Sequence, residues 1–190
     1  MNNNAAMFTR LVAVFLDLVT FFGYICGAVM MLYSKTEVGL DVQKHLITRD
    51  ELIKYGLILI ATYFVLDVLL IKIFATTPGK LFCNCDVDFH NGNSFLYVML
   101  RSFVKVVCLF SVVLGIISYC SGSADIDGRT FHDKLAKSNV TNTTRMPRWL
   151  GVIVVFVGAV LLVYFIYAYH DALGINPSLN LPSYKIFTLD

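Results

Sequence analysis

The sequence predicts an all-α membrane protein. It would have three full transmembrane helices plus a re-entrant or interfacial helical segment, with a short strand or hairpin element after the second helix. Three observations predict this. First, 57% of the 190 residues are hydrophobic and only 15% are charged, and mean hydropathy is +0.71, whereas a soluble domain typically carries about 25% charged residues. Second, three apolar runs are long enough to cross a ~30 Å hydrocarbon core at ~1.5 Å per residue. Third, single ionisable residues interrupt otherwise apolar runs: Arg10 and Asp17 in the first, Asp67 in the second. A charge near the centre of a bilayer costs ~2.5–3.5 kcal/mol on insertion scales. Such residues usually face a bundle interior or a wet cavity and pair with one another.

The first span covers about Leu11 to Tyr33. Arg10 and Asp17 lie nearly two helical turns apart and so share one face. Arg10 is close enough to the end of the run to snorkel to the interface; Asp17 is not. Met1 to Thr9 has no basic region of the kind that opens a cleavable signal peptide, so the first span is read as the insertion signal itself. Ser34 to Lys54 is a charged connector with a short surface helix expected in it.

The second span covers about Tyr55 to Phe74, with Asp67 in its second half. Thr76-Thr-Pro-Gly-Lys80 then reads as a stop signal. Leu81 to Phe89 alternates with period two and is followed by Asn91-Gly92, which predicts a strand entering a tight turn.

Ser94 to Cys120 begins with Arg101 and Lys105 at i, i+4 and ends in an apolar stretch, Val106 to Cys120, short for a full crossing. It reads either as an interfacial helix with a re-entrant hairpin or as one long tilted span. Ser121 to Arg148 is a polar, basic loop. The last span, about Trp149 to Tyr169, has no buried charge. Trp149, Tyr164, Tyr167 and Tyr169 supply interfacial anchors, and a tail with Pro177 and Pro182 closes the chain.

Basic residues constrain topology. With the N-terminus cytoplasmic and Ser94 to Cys120 crossing once, the basic residues of Lys35 to Lys54 and Arg129 to Arg148 all fall outside, against the positive-inside rule. An external N-terminus with four crossings repairs this. So does a Ser94 to Cys120 segment that enters and returns on the cytoplasmic side. The charge distribution leaves both open.

Net charge is only +2, so bulk charge gives no case for nucleic-acid binding. Five scattered cysteines (Cys26, Cys83, Cys85, Cys108, Cys120) fit reduced or buried thiols better than a disulfide framework. Asn139-Val-Thr and Asn142-Thr-Thr match the glycosylation acceptor pattern, relevant only if that loop faces a secretory lumen.

Four short motifs, in order, resemble the RDD family of small membrane proteins. Arg10-Leu-Val-Ala-Val-Phe-Leu-Asp17 resembles the family's opening. Thr77-Pro-Gly-Lys80 resembles its turn after the second helix, and Leu100-Arg101 a Leu-Arg pair that follows. Phe131-His-Asp-Lys-Leu-Ala-Lys-Ser-Asn-Val140 resembles its closing element, in which Asp133 corresponds to the second aspartate of the family name. Ser138 stands where a Thr is usual, and Asp67 where Glu is more familiar. The resemblance covers roughly Thr9 to Val140. The chain is therefore divided into a 1–140 RDD-like membrane domain and a 141–190 region holding the additional C-terminal helix and tail. The resemblance implies a bacterial inner-membrane protein involved in transport, with cation/proton exchange suggested for some members. It favours a shared cytoplasmic side for the Thr-Pro-Gly-Lys and His-Asp-Lys elements.

The candidate site is a polar layer of Arg10, Asp17, Asp67 and Arg101. One reading makes Asp17 and Asp67 an exchanging pair, since neighbouring carboxylates in low dielectric do not both ionise cheaply. The other makes the layer structural, with Asp17 neutralised by Arg10 or Arg101 and setting packing specificity. His132-Asp133 reads as a loop lock, Asp133 bonding backbone amides and Lys134 reaching headgroups, ahead of a proton relay. Lys80, Arg101 and Lys105 form a basic cluster suited to anionic headgroups or to plain snorkelling. Cys83-x-Cys85 with His90 falls short of a tetrahedral metal set, so no metal and no cofactor are expected. No nucleophile lies at a recognisable catalytic spacing, so an enzyme is not expected.

The leading function is transport of small cations or protons. The alternative is a non-catalytic accessory subunit of a larger membrane complex. With so few elements for alternating access, transport would need a homo-oligomer or a partner subunit besides the lipid bilayer.

Overall fold

The computed structural model describes residues 5–33, 49–89, 94–125 and 128–168. The expected surface helix between the first two spans, the Asn91-Gly92 turn, His90 and the C-terminal tail lie outside these residues. In chain order the elements are α1 (Met7–Tyr33), α2 (Arg49–Phe74), α3 (Pro78–Phe82), β1 (Asp86–Phe89), α4 (Phe95–Phe110), α5 (Val112–Ala124), α6 (Phe131–Leu135), β2 (Ser138–Thr141) and α7 (Arg148–Ala168).

Three of these helices are long and apolar enough to cross a membrane, over Met7–Met31, Ile53–Phe74 and Arg148–Ala168. Their outward faces carry large apolar side chains, such as Phe15, Leu57, Ile73, Phe156 and Val163. Lipid would cover such a surface; water would leave it as an aggregation-prone patch. The described residues form a helical membrane architecture with one small two-stranded sheet.

The segment between the second and last spans turns by 118° where α4 meets α5. Its ends explain why. Strand β1 precedes α4, and β2 follows α5 and α6. The two strands pair antiparallel, Val87 opposite Val140 and Asp86 opposite Thr141. The segment therefore leaves one strand and returns to that strand's partner. A single ~30 Å crossing would hold the ends apart, so the returning arrangement replaces the long tilted span. The sheet also shortens the strand expected over Leu81 to Phe89. Pro78, with its fixed φ, starts a helix readily at its first position, and Leu81 and Phe82 complete that helix.

Helix α4 is amphipathic in the inverse sense to a soluble helix. Its buried stripe is Val98, Arg101, Ser102, Lys105 and Cys108, spaced at three and four residues. Phe95, Leu96, Phe103 and Phe110 are exposed.

The chain has two compact units. The first comprises residues 1–18 and 60–155, the second residues 19–59 and 156–190. In the second unit α1 and α7 meet through glycines. A Cβ on Gly23 would overlap the Gly158 carbonyl, and one on Gly158 would lie 2.9 Å from Thr20 Cα. Small residues allow this backbone approach where no hydrophobic effect drives association.

The first unit packs two apolar clusters around the sheet. Val68, Ile71, Val87 and Val98 form one; Ala5, Cys85 and Val140 form the other. It also contains a structural repeat that sequence identity does not disclose. Short helix α3 begins after Thr77, ends before left-handed Asn84 (φ 60°) and leads into β1. Short helix α6 begins after Thr130, ends before left-handed Lys137 (φ 49°) and leads into β2. Lys80 and Asp133 occupy the same position, three residues after the N-cap threonine.

Candidate functional site

Arg10, Asp17, Asp67, Lys80, Arg101, Lys105 and Asp133 converge in the first unit, in two linked groups. The first centres on Asp133, which is fully buried. Its Oδ2 accepts from Arg10 Nη1 at 3.0 Å and from the Thr130 hydroxyl at 2.8 Å. Its Oδ1 accepts from Arg101 Nε at 2.9 Å, lies 2.8 Å from Arg101 Nη2, and accepts from the Ser138 hydroxyl at 3.3 Å. Two guanidiniums outweigh the cost of burying the carboxylate and hold its pKa below the ordinary range. Asp133 thus locks its loop through side chains rather than through the backbone amides expected, because the loop folds against α1 and α4.

Arg10 does not snorkel. It is buried, and its remaining donors reach the Ala5 carbonyl, Asn139 Oδ1 and the Val140 carbonyl at 3.1–3.3 Å. One guanidinium therefore ties the start of α1 to α6 and β2. The expected neutralisation of Asp17 by Arg10 or Arg101 is not found, since Asp133 takes both.

The second group holds Asp17 and Asp67. Asp67 accepts from Lys105 Nζ and from the Ser102 hydroxyl, each at 2.6 Å. Lys105 Nζ also lies 3.9 Å from Asp17 and 5.4 Å from the Tyr63 ring centroid, a cation–π distance. Asp17 accepts from the Thr77 hydroxyl at 2.7 Å and from the Gly79 amide at 2.8 Å. Thr77 is the N-cap of α3 but makes no side-chain cap of its own. Asp17, from another helix, supplies the acceptor that the orphan Gly79 N–H needs. Gly79 is required by closeness: a Cβ there would overlap the Ala13 carbonyl and lie 2.8 Å from Asp17 N.

Lys80 behaves differently. It is buried, yet its Nζ has no hydrogen-bond partner among the described residues. Burial, then the neighbouring Arg101 and Lys105 charges, push its pKa down to about 7. Arg101 Nη1 is also buried and without a partner among the described residues. The basic cluster of Lys80, Arg101 and Lys105 is therefore interior; none of the three reaches a surface by snorkelling.

His132 lies with its ring 3.0 Å from Thr130 Oγ1 and 3.7 Å from Asp133. Burial lowers its pKa and keeps the imidazole neutral. Lys134 is more exposed and reaches Ser121 Oγ at 3.2 Å and Asp125 at 3.6 Å. Cys85 is buried and donates weakly to the Cys83 carbonyl at 3.4 Å. Burial raises both thiol pKa values, so they pack as protonated groups. Sequence reasoning missed Ser102, Thr130 and Ser138 as site residues. The signal for Ser102 was its place beside Arg101 and Lys105 on one helical face. The two others flank the His-Asp-Lys motif.

A membrane protein whose scattered charged motifs close into one buried network is the class defined here. The sequence model of the RDD family matches residues 4–137, and the chain belongs to the RDD family. No curated protein and no solved structure matches the chain.

Proposed function

We propose that this chain works in the bacterial inner membrane as a proton-linked transporter of small ions, in which Lys80 binds the proton. The observation that supports this reading is Lys80 itself. It is a buried amine with no acceptor among the described residues, balanced near neutrality at a pKa of about 7. The proton site thus moves from the aspartates to the lysine. Each oxygen of Asp17, Asp67 and Asp133 already accepts a protein hydrogen bond, so a metal cation would have to compete with these donors for the carboxylates. The reading is non-enzymatic. It requires a homo-oligomer or a partner subunit, because one chain of this size has few elements to rock against each other. In proteoliposomes a pH gradient should drive ion flux, and Lys80→Met should abolish it in folded protein. No flux for any monovalent ion tried would overturn transport.

A second reading, a non-catalytic accessory subunit, draws on the same saturation: a network with every carboxylate oxygen occupied is a lock that fixes one packing. Recovery of a defined hetero-complex in mild detergent, without intrinsic flux, would favour it.

A further inference from the structure

The first unit contains a cavity of about 330 Å³ among α1, α3, α4, α5 and α6, within the ~300–1,000 Å³ of small-molecule sites. Its lining is polarised. Leu11, Phe15, Leu18 and Leu109 make an apolar flank. The charged part of the wall is Arg10, Lys80, Arg101 and Lys105 against one acid, Asp133. Asp133 is fully engaged, Arg10 donates from all three nitrogens, and Lys105 is paired with Asp67. Two buried cationic donors are left over, Lys80 Nζ and Arg101 Nη1. Both residues line this cavity, and both want an acceptor that the described residues do not supply. Unmet donors of this kind are costly to bury, and charge-assisted bonds to an oxyanion are what satisfy them best. The flexible lysine stem lets Nζ follow a ligand that enters.

We propose that this cavity binds an amphiphilic oxyanion, its charged head accepting from Lys80 and Arg101 and its apolar part lying along Leu11, Phe15 and Leu18. A fatty-acid carboxylate and the phosphate of an anionic membrane lipid share this chemistry. Binding is an equilibrium property, so it stands or falls separately from flux.

The test uses the full chain, delipidated in uncharged detergent at neutral pH. Thermal unfolding is followed against oleate, phosphatidylglycerol, phosphatidylcholine and inorganic phosphate. Oleate or phosphatidylglycerol should raise the melting temperature and phosphatidylcholine should not; whichever acts at the lower concentration identifies the head. Lys80→Met should weaken that binding about tenfold or more, because it removes a charge-assisted donor, while its own ligand-free melting temperature is no lower than that of the wild type. Lys80→Arg should retain binding. Equal stabilisation by phosphatidylcholine, or an unchanged response in Lys80→Met, would overturn the site. A full shift with inorganic phosphate alone would overturn the amphiphile. Native mass spectrometry of the wild type gives a reading independent of any variant. One oleate or phosphatidylglycerol bound per chain after its addition supports the proposal, and none at concentrations that saturate detergent micelles overturns it.

Discussion

Arg10 Nη1 and Asp133 Oδ2 lie 3.0 Å apart although 123 residues separate them in sequence. This pair joins the first helical turns of the chain to the loop that ends the family match. Around it, Arg101 takes the other carboxylate oxygen, and Arg10 reaches the β2 backbone. The charges that are expensive in a membrane are thus made affordable by mutual contact, and the contact fixes which helices meet.

Removing Asp133 should cost more than removing Arg10. Asp133→Ala strands two buried guanidiniums, whereas Arg10→Ala leaves Asp133 still bound to Arg101, Thr130 and Ser138. Breaking a buried pair costs about 3–5 kcal/mol, so Asp133→Ala should fall at or beyond the top of that range. Melting temperatures of both variants in detergent check the order. A double-mutant cycle should give a coupling of about 0.5–3 kcal/mol.

Asp17→Asn should be among the mildest changes in the network. The amide oxygen can still accept from Gly79 N–H, and the Thr77 hydroxyl can rotate to accept from the new NH₂ group. A melting-temperature loss equal to that of Asp133→Ala would show that the Asp17 charge, through Lys105, carries the packing of α1 on α4.

Gly79→Ala should be more damaging than its size implies. The new Cβ meets backbone, the Ala13 carbonyl, rather than a side chain that can move. It would push α3 off α1 and break both bonds to Asp17. Overpacking typically costs about 1–3 kcal/mol, and loss of the cap adds about 1. Expression and thermal unfolding of this variant against Gly56→Ala, which meets nothing within 4 Å, measure the contrast.

Much of this was legible from residue order. The three long spans follow from length and hydropathy alone, and Arg10, Asp17, Asp67 and Arg101 stood out because charge in an apolar run needs a partner. Partner choice was not legible. Asp17 and Arg10 share a helical face, which makes them look like a pair, but helical spacing says nothing of what arrives from elsewhere in the chain. Asp133 comes from 123 residues away and claims Arg10. The β1–β2 pairing was hidden for the same reason: Asn91-Gly92 advertises a local turn, while the partner strand follows the His-Asp-Lys motif. Lys80 was visible as a basic residue after a stop signal, and such a lysine normally snorkels. Only the folding of α3 back against α1 and α4 reveals it as buried.

Lys80 makes stability depend on pH in a defined sense. Its folded pKa, about 7, lies below the ordinary lysine value. Between the two, the unfolded chain binds more protons than the folded one, so stability rises with pH. The penalty of the buried charge is fully present below pH ~7 and is relieved as pH approaches ~10.4. The difference in melting temperature between wild type and Lys80→Met should therefore shrink across that window. A constant difference would mean that Lys80 keeps its proton throughout.

The paired strands make a prediction about sidedness. Because β1 pairs with β2, the Thr-Pro-Gly-Lys and His-Asp-Lys loops must share one side of the membrane. The basic residues of the second loop argue for the cytoplasm. Ser138 is a poor reporter, since it is fully buried against Arg101 and Asp133. Thr143 is exposed in the same loop. In a background with the five native cysteines replaced, Thr143→Cys in intact cells should resist an impermeant thiol reagent and react once the membrane is permeabilised. Labelling in intact cells would place both loops outside. The N-terminus would follow them, because the Ala5 amide donates to the Val140 carbonyl at 2.9 Å and Arg10 to the same oxygen at 3.2 Å.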